Sequence, residues 1–316
     1  MKILLWVEFG RTEMARAIEE VPGTELVRIQ DADHLRAELP GAEVLVTMSK
    51  QYDRAVAEAL ISLGGRLRWM QVLTTGFERI TLHGAPPGVV VTNAGDAFSP
   101  FVADHAMALL LGVARKLPEA VRGQTGKEWQ PRLAKEVRGL LGGTLAVVGF
   151  GSIGREIARR ARAFGMRVLG VSRSAEPHPE ADEVHAIGDL HAVLARADAV
   201  VLAVPHTKET TRLIGEPELR ACRPHTILVN VARGSVVDQK ALERALREGW
   251  IGGAGLDVVT PEPLPPDDPL WDCPNLLLTP HVAGFGPGIL DRLATLLQEN
   301  LRRYAAGEPL RFVVQP

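Results

Sequence analysis

At 316 residues the chain is long enough for two hydrophobic cores, and 46% hydrophobic with 23% charged residues is the composition of a globular protein. Thirty-six Lys and Arg against 38 Asp and Glu leave a net charge of −2, which removes any global electrostatic case for nucleic acid or an anionic membrane as partner. The two cysteines, Cys222 and Cys273, show no C-x-x-C spacing and read as reduced thiols of a cytoplasmic protein, with neither a disulfide nor a metal site expected. The N-terminal apolar run is too short for a signal peptide, and no stretch approaches the length of a membrane span.

In chain order, strands are predicted at Ile3–Val7, Glu25–Arg28, Val44–Val46, Met70–Leu73 and Val89–Val91, with helices at Glu13–Glu20, Ala32–Glu38 and Asp53–Leu63. That alternation predicts a parallel sheet flanked by helices. Pro100–Leu117 is a long, strongly apolar helical stretch, expected as a connector packed against two domains. The alternation then resumes, with strands at Leu145–Val148, Arg167–Val171, Ala199–Leu202, Thr226–Val229, Gly253–Leu256 and Leu276–Leu278. Helices are expected at Arg155–Phe164, Leu190–Ala195, Gln239–Glu248 and Ile289–Ala305, the last returning to the first domain. The proline-rich stretch Pro261–Pro269 reads as a rigid loop.

Between the strand Leu145–Val148 and the helix that follows lies Gly149-Phe150-Gly151-Ser152-Ile153-Gly154. This G-x-G-x-x-G sits in a strand–turn–helix–strand context, which makes it a dinucleotide site rather than an ordinary glycine turn. The glycines permit a tight turn, close approach of backbone to a pyrophosphate, and close helix–strand packing, with the phosphates at a helix N-terminus. The second strand ends in Ser172-Arg173-Ser174, where NAD users carry an acidic residue for the ribose hydroxyls. Arg173 can pair with a 2′-phosphate and the serines can donate to it, so NADP(H) is favoured and NAD(H) stays possible; a surface arginine with relaxed specificity is the plainer alternative.

Downstream, Arg233, Glu262 and His281 each sit in loop sequence punctuated by Gly or Pro. Arginine grips a carboxylate through two parallel N–H bonds, and histidine moves a proton near neutral pH. A glutamate beside the imidazole keeps it charged and oriented. Together they suit chemistry on a small acid.

The ordered stretches Val91–Gly95, Gly149–Gly154, Asn230–Asp238, Gly255–Trp271 and Thr279–Gly284 resemble those of the D-isomer-specific 2-hydroxyacid dehydrogenase family, most of all its glyoxylate/hydroxypyruvate reductases. The likeness spans essentially the whole chain. It implies an α/β fold of two doubly wound parallel-sheet domains: a Rossmann nucleotide domain at residues 99–284, inserted into a discontinuous flavodoxin-like substrate domain at residues 1–98 and 285–316. It also implies a cleft between the domains, and a homodimer formed mainly through the nucleotide domains.

The activity implied is reduction of a small 2-keto acid to the D-2-hydroxy acid by hydride transfer from NAD(P)H. By the same resemblance His281 is the general acid/base, Glu262 raises its pKa, Arg233 binds the carboxylate, and the amides of Thr75 and Gly76 cap the carboxylate's other side. Glu78 stands where the family usually has Asp, which bears on the shape of the Thr75–Gly76 loop. Asp257 and the Val231 carbonyl match positions that hold the nicotinamide carboxamide, while a structural Asp capping the next turn competes for the first; Val204, Pro205 and Thr210 fall along the cofactor. Met48 and Phe285 are neutral candidates for the pocket wall and equally candidates for core packing; as wall residues they favour glyoxylate, hydroxypyruvate or pyruvate over a substrate with a second anion. The rival readings are a dehydrogenase for D-lactate or phosphoglycerate, and a dinucleotide-sensing binding protein like the corepressors that resemble this family.

Overall fold

The structure, a computed structural model, describes residues 1–315. Its strands among those residues are β1 (Lys2–Trp6), β2 (Glu25–Arg28), β3 (Val44–Thr47), β4 (Trp69–Val72), β5 (Val90–Thr92), β6 (Thr144–Val148), β7 (Arg167–Ser172), β8 (Glu183–Ala186), β9 (Ala199–Leu202), β10 (Ile227–Asn230), β11 (Gly253–Leu256), β12 (Leu276–Leu278) and β13 (Val313–Val314). The chain divides into two compact units, Met1–Phe98 with Gly286–Pro316, and Ser99–Phe285.

The first unit holds a six-stranded sheet in the order β13-β5-β4-β3-β1-β2, all parallel except the edge strand β13. Without β13 this is the flavodoxin-like order 2-1-3-4-5. Strand β3 is buried along its length, as is β4, so both are mostly apolar without a clean alternation, and the polar residues they carry, Thr47 and Gln71, are buried with them. Leu4, Leu45, Met70 and Val91 on the sheet pack with Leu35, Val56 and Leu60 from the helices Ala32–Glu38 and Arg54–Leu63. Asp31 and Asp53 cap those helices by accepting from His34 N and Val56 N. The helix Ile289–Ala306 packs on the helix Arg11–Glu19, and Tyr304 stacks on the buried Trp69.

The second unit is a seven-stranded parallel sheet, β12-β11-β10-β9-β6-β7-β8. Renumbered from β6 it runs 3-2-1-4-5-6-7, the doubly wound dinucleotide-binding order, whose ligand crevice opens at the carboxyl ends of the strands beside the point where the order reverses. That point lies between β6 and β9. Both sequence expectations of α/β class and doubly wound sheets therefore hold.

Several elements were not legible. The apolar stretch predicted as one helix over 100–117 is a helix over Ser99–Ala114 and another over Leu117–Gly126, broken where Lys116 takes a left-handed φ of 57°. The first of these packs on β10, β11, β12 and the helix Ser152–Ala163. Strand β8 escapes notice because all four of its residues are only half-buried and two are Glu183 and His185. Among the described residues no helix is long and apolar enough to cross a membrane.

Candidate active site

The glycine turn follows β6. Gly149 has φ of 98°, and a Cβ there would strike the Ala203 carbonyl at the end of β9. A Cβ on buried Gly154 would collide with the Gly149 carbonyl, so these two glycines hold the turn against its own strand and helix. Gly151 differs: it is exposed at the N-cap of the helix Ser152–Ala163, and a Cβ there meets no protein atom. The amides of Ser152, Ile153 and Gly154 begin that helix and have no acceptor further back in it. This is a fitting seat for a pyrophosphate.

Phe150 is 8% exposed, with its ring against Gly170 and edge-on to His178 at 5.6 Å, so its side chain is turned to the core and only its backbone is available to the seat. At the end of β7 the half-buried Ser172 accepts from Ala175 N at 3.1 Å through its hydroxyl oxygen, so that bond does not use its proton. Arg173 and Ser174 are exposed next to it. After β9, Thr210 ties its own loop, donating to Pro205 O at 2.7 Å and accepting from Thr207 N at 2.8 Å. In the same loop the Glu209 carboxyl is held below its ordinary range, first by Thr207 and more weakly by the charges of Lys208 and Arg173. Val204, Pro205 and Thr210 thus stand beside the reversal point with the glycine turn.

Arg233 is carried just past β10 on a turn fixed by Asn230, a residue 1% exposed at the strand's end. The Asn230 side chain donates to Arg233 O at 2.9 Å and accepts from Ala232 N at 3.0 Å. The Arg233 guanidinium is half-buried and donates to Ala232 O at 2.7 Å. Sequence reasoning missed Asn230; an amide closing an otherwise apolar strand was the available signal. Val231, also on this turn, is buried.

Glu262 follows β11, and His281 follows β12. Nδ1 of His281 lies 2.7 Å from Oε2 of Glu262, while Oε1 of Glu262 accepts from Val259 N at 3.1 Å. A carboxylate only accepts, so Nδ1 carries a proton and Nε2 is left as the atom for proton transfer. The hydrogen bond His281 donates to Glu262 raises the His281 pKa above 6.5 against the opposing effect of burial, and the Arg233 charge lowers it somewhat. Burial works to raise the Glu262 carboxyl, but His281, Val259 N and Arg233 together bring it below 4.5. Arg233, Glu262 and His281 are therefore within electrostatic reach of one another, at the carboxyl ends of three neighbouring strands.

Asp257, 2% exposed, turns its carboxylate onto the loop that bears His281: Oδ1 accepts from Thr279 Oγ1 at 2.7 Å and Val282 N at 2.9 Å, and Oδ2 from Ala283 N at 2.9 Å. Phe285 is 60% exposed at the end of this unit.

Met48, Thr75 and Gly76 belong to the six-stranded unit. Met48 is 8% exposed. The Thr75–Gly76 loop is clamped by Asn93, which donates to Thr75 O at 2.8 Å, and by Thr74, whose hydroxyl donates to Gly76 O at 2.7 Å. Glu78 opens the short helix Glu78–His83 behind it.

A sequence model described as "D-isomer specific 2-hydroxyacid dehydrogenase, NAD binding domain" matches residues 107–283. The chain belongs to this family. Among its relatives, a glyoxylate reductase of Thermococcus kodakarensis is 42% identical over 274 residues, covering 84% of this chain and 81% of that protein. A D-3-phosphoglycerate dehydrogenase of Methanocaldococcus jannaschii is 33% identical over 95% of this chain, which spans 56% of that protein. A solved family member from Aeromonas salmonicida superposes with a TM-score of 0.85 at 32% identity, covering 99% of this chain and 98% of that one. Family membership makes the chain an NAD(P)-dependent 2-hydroxyacid dehydrogenase.

Proposed function

We propose that the protein reduces glyoxylate-type 2-keto acids to D-2-hydroxy acids and prefers NADPH. The observation that carries this reading is the His281–Glu262 pair at 2.7 Å, with Arg233 in electrostatic reach, on the sheet that also bears the glycine turn. The likeness to glyoxylate reductases supports the substrate class.

Gly149–Gly154 hold the pyrophosphate in this proposal, Val204, Pro205 and Thr210 flank the adenosine side, and the Val231 carbonyl faces the carboxamide; Asp257, expected there too, is instead buried with its carboxylate bonded to Thr279, Val282 and Ala283, the structural cap of the His281 loop. When bound, the nicotinamide supplies the hydride for the keto carbon. His281 Nε2 gives its proton to the keto oxygen, while Glu262 stabilises the imidazolium until then. Arg233 holds the substrate carboxylate through paired N–H bonds and draws charge toward the carbonyl oxygen. The Thr75 and Gly76 amides are assigned to the same carboxylate, and Met48 and Phe285 to the apolar wall. The proton and hydride together convert the 2-oxo group to a hydroxyl, a primary alcohol from glyoxylate and a secondary alcohol from hydroxypyruvate.

NADPH preference rests on Ser172-Arg173-Ser174, which offers a cation and hydroxyl donors and no carboxylate at the strand end. A phosphoglycerate-type substrate is the second reading, favoured by the likeness to the M. jannaschii enzyme. Initial rates of purified protein with glyoxylate, hydroxypyruvate and the phosphate ester of hydroxypyruvate, each with NADPH and NADH, test both. Turnover of the first two, faster with NADPH, is the expected result; preference for the phosphate ester overturns the substrate class, and no turnover overturns the activity.

A homodimer is proposed through the second unit, where Leu117, Val121, Trp129 and Leu141 are exposed, Trp129 at 93%. Light scattering of Trp129→Glu tests it, with loss of a dimer peak expected. A cytoplasmic setting is proposed on the free thiols Cys222 and Cys273.

A further inference from the structure

The loop that carries His281 is held in an uncommon conformation. His281 has φ of 54°, in the left-handed region that is uncommon for non-glycine residues, though less so for histidine than for most. Several bonds hold it there: His281 N donates to Asp257 O at 2.8 Å and Thr279 O at 3.1 Å, and the amides of the next two residues both donate to the Asp257 carboxylate. That carboxylate is buried, and burial alone raises its pKa, but bonds from His105, Thr279, Val282 and Ala283 bring it below 3.8. Four groups around His281 thus depend on one ionised side chain.

A further tie comes from outside the loop. His105 lies on the helix Ser99–Ala114, an element packed across β10, β11 and β12. Its Nε2 is 2.8 Å from Thr279 Oγ1 and 3.4 Å from Asp257 Oδ1. Thr279 has one hydroxyl proton, which goes to Asp257 Oδ1 at 2.7 Å, so its oxygen accepts from His105 and the His105 tautomer carries its proton on Nε2. The chain of bonds runs from a core helix, through a hydroxyl, to the carboxylate that shapes the His281 backbone.

We propose that His105 is a positioning residue for the reaction: acting through Thr279 and Asp257, it fixes the left-handed turn at His281 and so aims the imidazole at Glu262 on one side and the substrate on the other. This rests on the proton-transfer role given to His281 above. The charged and titratable groups facing His281 are Glu262, Arg233 and Asp257, with His105 one hydroxyl away.

The test uses full-length His105→Ala and His105→Gln, the second keeping an N–H donor at about the position of Nε2. Two readouts are taken: steady-state reduction of glyoxylate with NADPH, and the titration of the His281 imidazole by NMR of histidine-labelled protein, assigned with His281→Asn. For His105→Ala, kcat is expected to fall about tenfold with the NADPH dissociation constant unchanged, and the His281 titration to move down by about half a pH unit as its bond to Glu262 loosens. His105→Gln is expected to recover most of both. An unchanged titration overturns the proposal, whether kcat holds or falls, because a general loss of structure lowers kcat without selectively moving that imidazole. If wild type turns over no keto acid, the functional reading fails by itself and the titration still decides the positioning role.

Discussion

Nδ1 of His281 and Oε2 of Glu262 stand 2.7 Å apart, and each shifts the other's protonation in the direction that keeps the pair charged. In the proposed reaction His281 supplies the proton for reduction, so the rate should fall as pH rises through the imidazole pKa. Glu262 places that limb above the ordinary 6.5. Glu262→Gln keeps an acceptor but removes the charge. The limb should move down toward 6.5, and kcat/KM for reduction at pH 7.5 should fall by about tenfold or more. Oxidation of the 2-hydroxy acid needs the neutral imidazole, so its limb should extend to lower pH in the same variant. Full pH profiles in both directions check this; a limb that does not move removes Glu262 from its role.

The same pair contributes to stability within a bounded window. The raised His281 pKa adds stability that is fully present below 6.5 and is lost as pH rises through the folded value. The lowered Glu262 pKa adds stability present above 4.5 and lost as pH falls through its folded value. The pair's contribution is therefore greatest between those limits, and small, since both side chains are more than a third exposed.

Arg233 should behave as a carboxylate clamp. Arg233→Ala is expected to lower kcat/KM for glyoxylate about 100-fold, equivalent to about 2.7 kcal/mol, with nucleotide affinity unchanged. Arg233→Lys should recover only part, because an ammonium is a point charge without the paired donors. Asn230→Ala removes both bonds that shape the turn and leaves buried backbone groups without those partners, which should cost about 1–3 kcal/mol of stability as well as activity. Isothermal titration with nucleotide, alongside steady-state kinetics, separates the effects. Loss of nucleotide affinity in Arg233→Ala would contradict the assignment.

Much of this was legible in the sequence because the signals were local. Strands such as β9 and β11 are buried throughout, so their apolar runs state their own boundaries. Gly149 and Gly154 announce the turn because no other residue fits there. What stayed hidden depends on partners distant in sequence. Strand β13 is two residues long and exists by pairing with β5. Asn93 and Asn230 act by bonding backbone that their own sequence neighbourhood does not single out as needing support. His105 meets its partner Thr279 across 174 residues of sequence, so nothing local marks it.

Gly151 and Gly154 should separate ligand binding from folding. A Cβ at Gly154 meets the Gly149 carbonyl and the Val147 side chain, so Gly154→Ala should destabilise the protein by about 1–3 kcal/mol through overpacking. A Cβ at Gly151 meets no protein atom, so Gly151→Ala should melt at the wild-type temperature. Its methyl group should nonetheless keep the pyrophosphate from the backbone and weaken NADPH binding by about tenfold or more. Thermal melts with and without NADPH read both effects. Wild-type nucleotide affinity in Gly151→Ala would place the phosphates elsewhere.

Cofactor preference should turn on Arg173. The residue is exposed just beyond β7, next to Ser172, whose hydroxyl accepts from Ala175 N, and its charge is felt at Glu209 across the neighbouring loop. A 2′-phosphate there gains the guanidinium and a hydroxyl donor, whereas an unmodified ribose makes little use of either. Arg173→Ala should therefore lower kcat/KM with NADPH by about 10- to 100-fold while changing the NADH value by less than about threefold. Ser172→Asp should go further and reverse the preference, since the new carboxylate accepts from both ribose hydroxyls and repels the phosphate. Equal losses with the two cofactors in Arg173→Ala would show that the guanidinium serves the fold or the adenine ring, and the preference for NADPH would lose its physical basis.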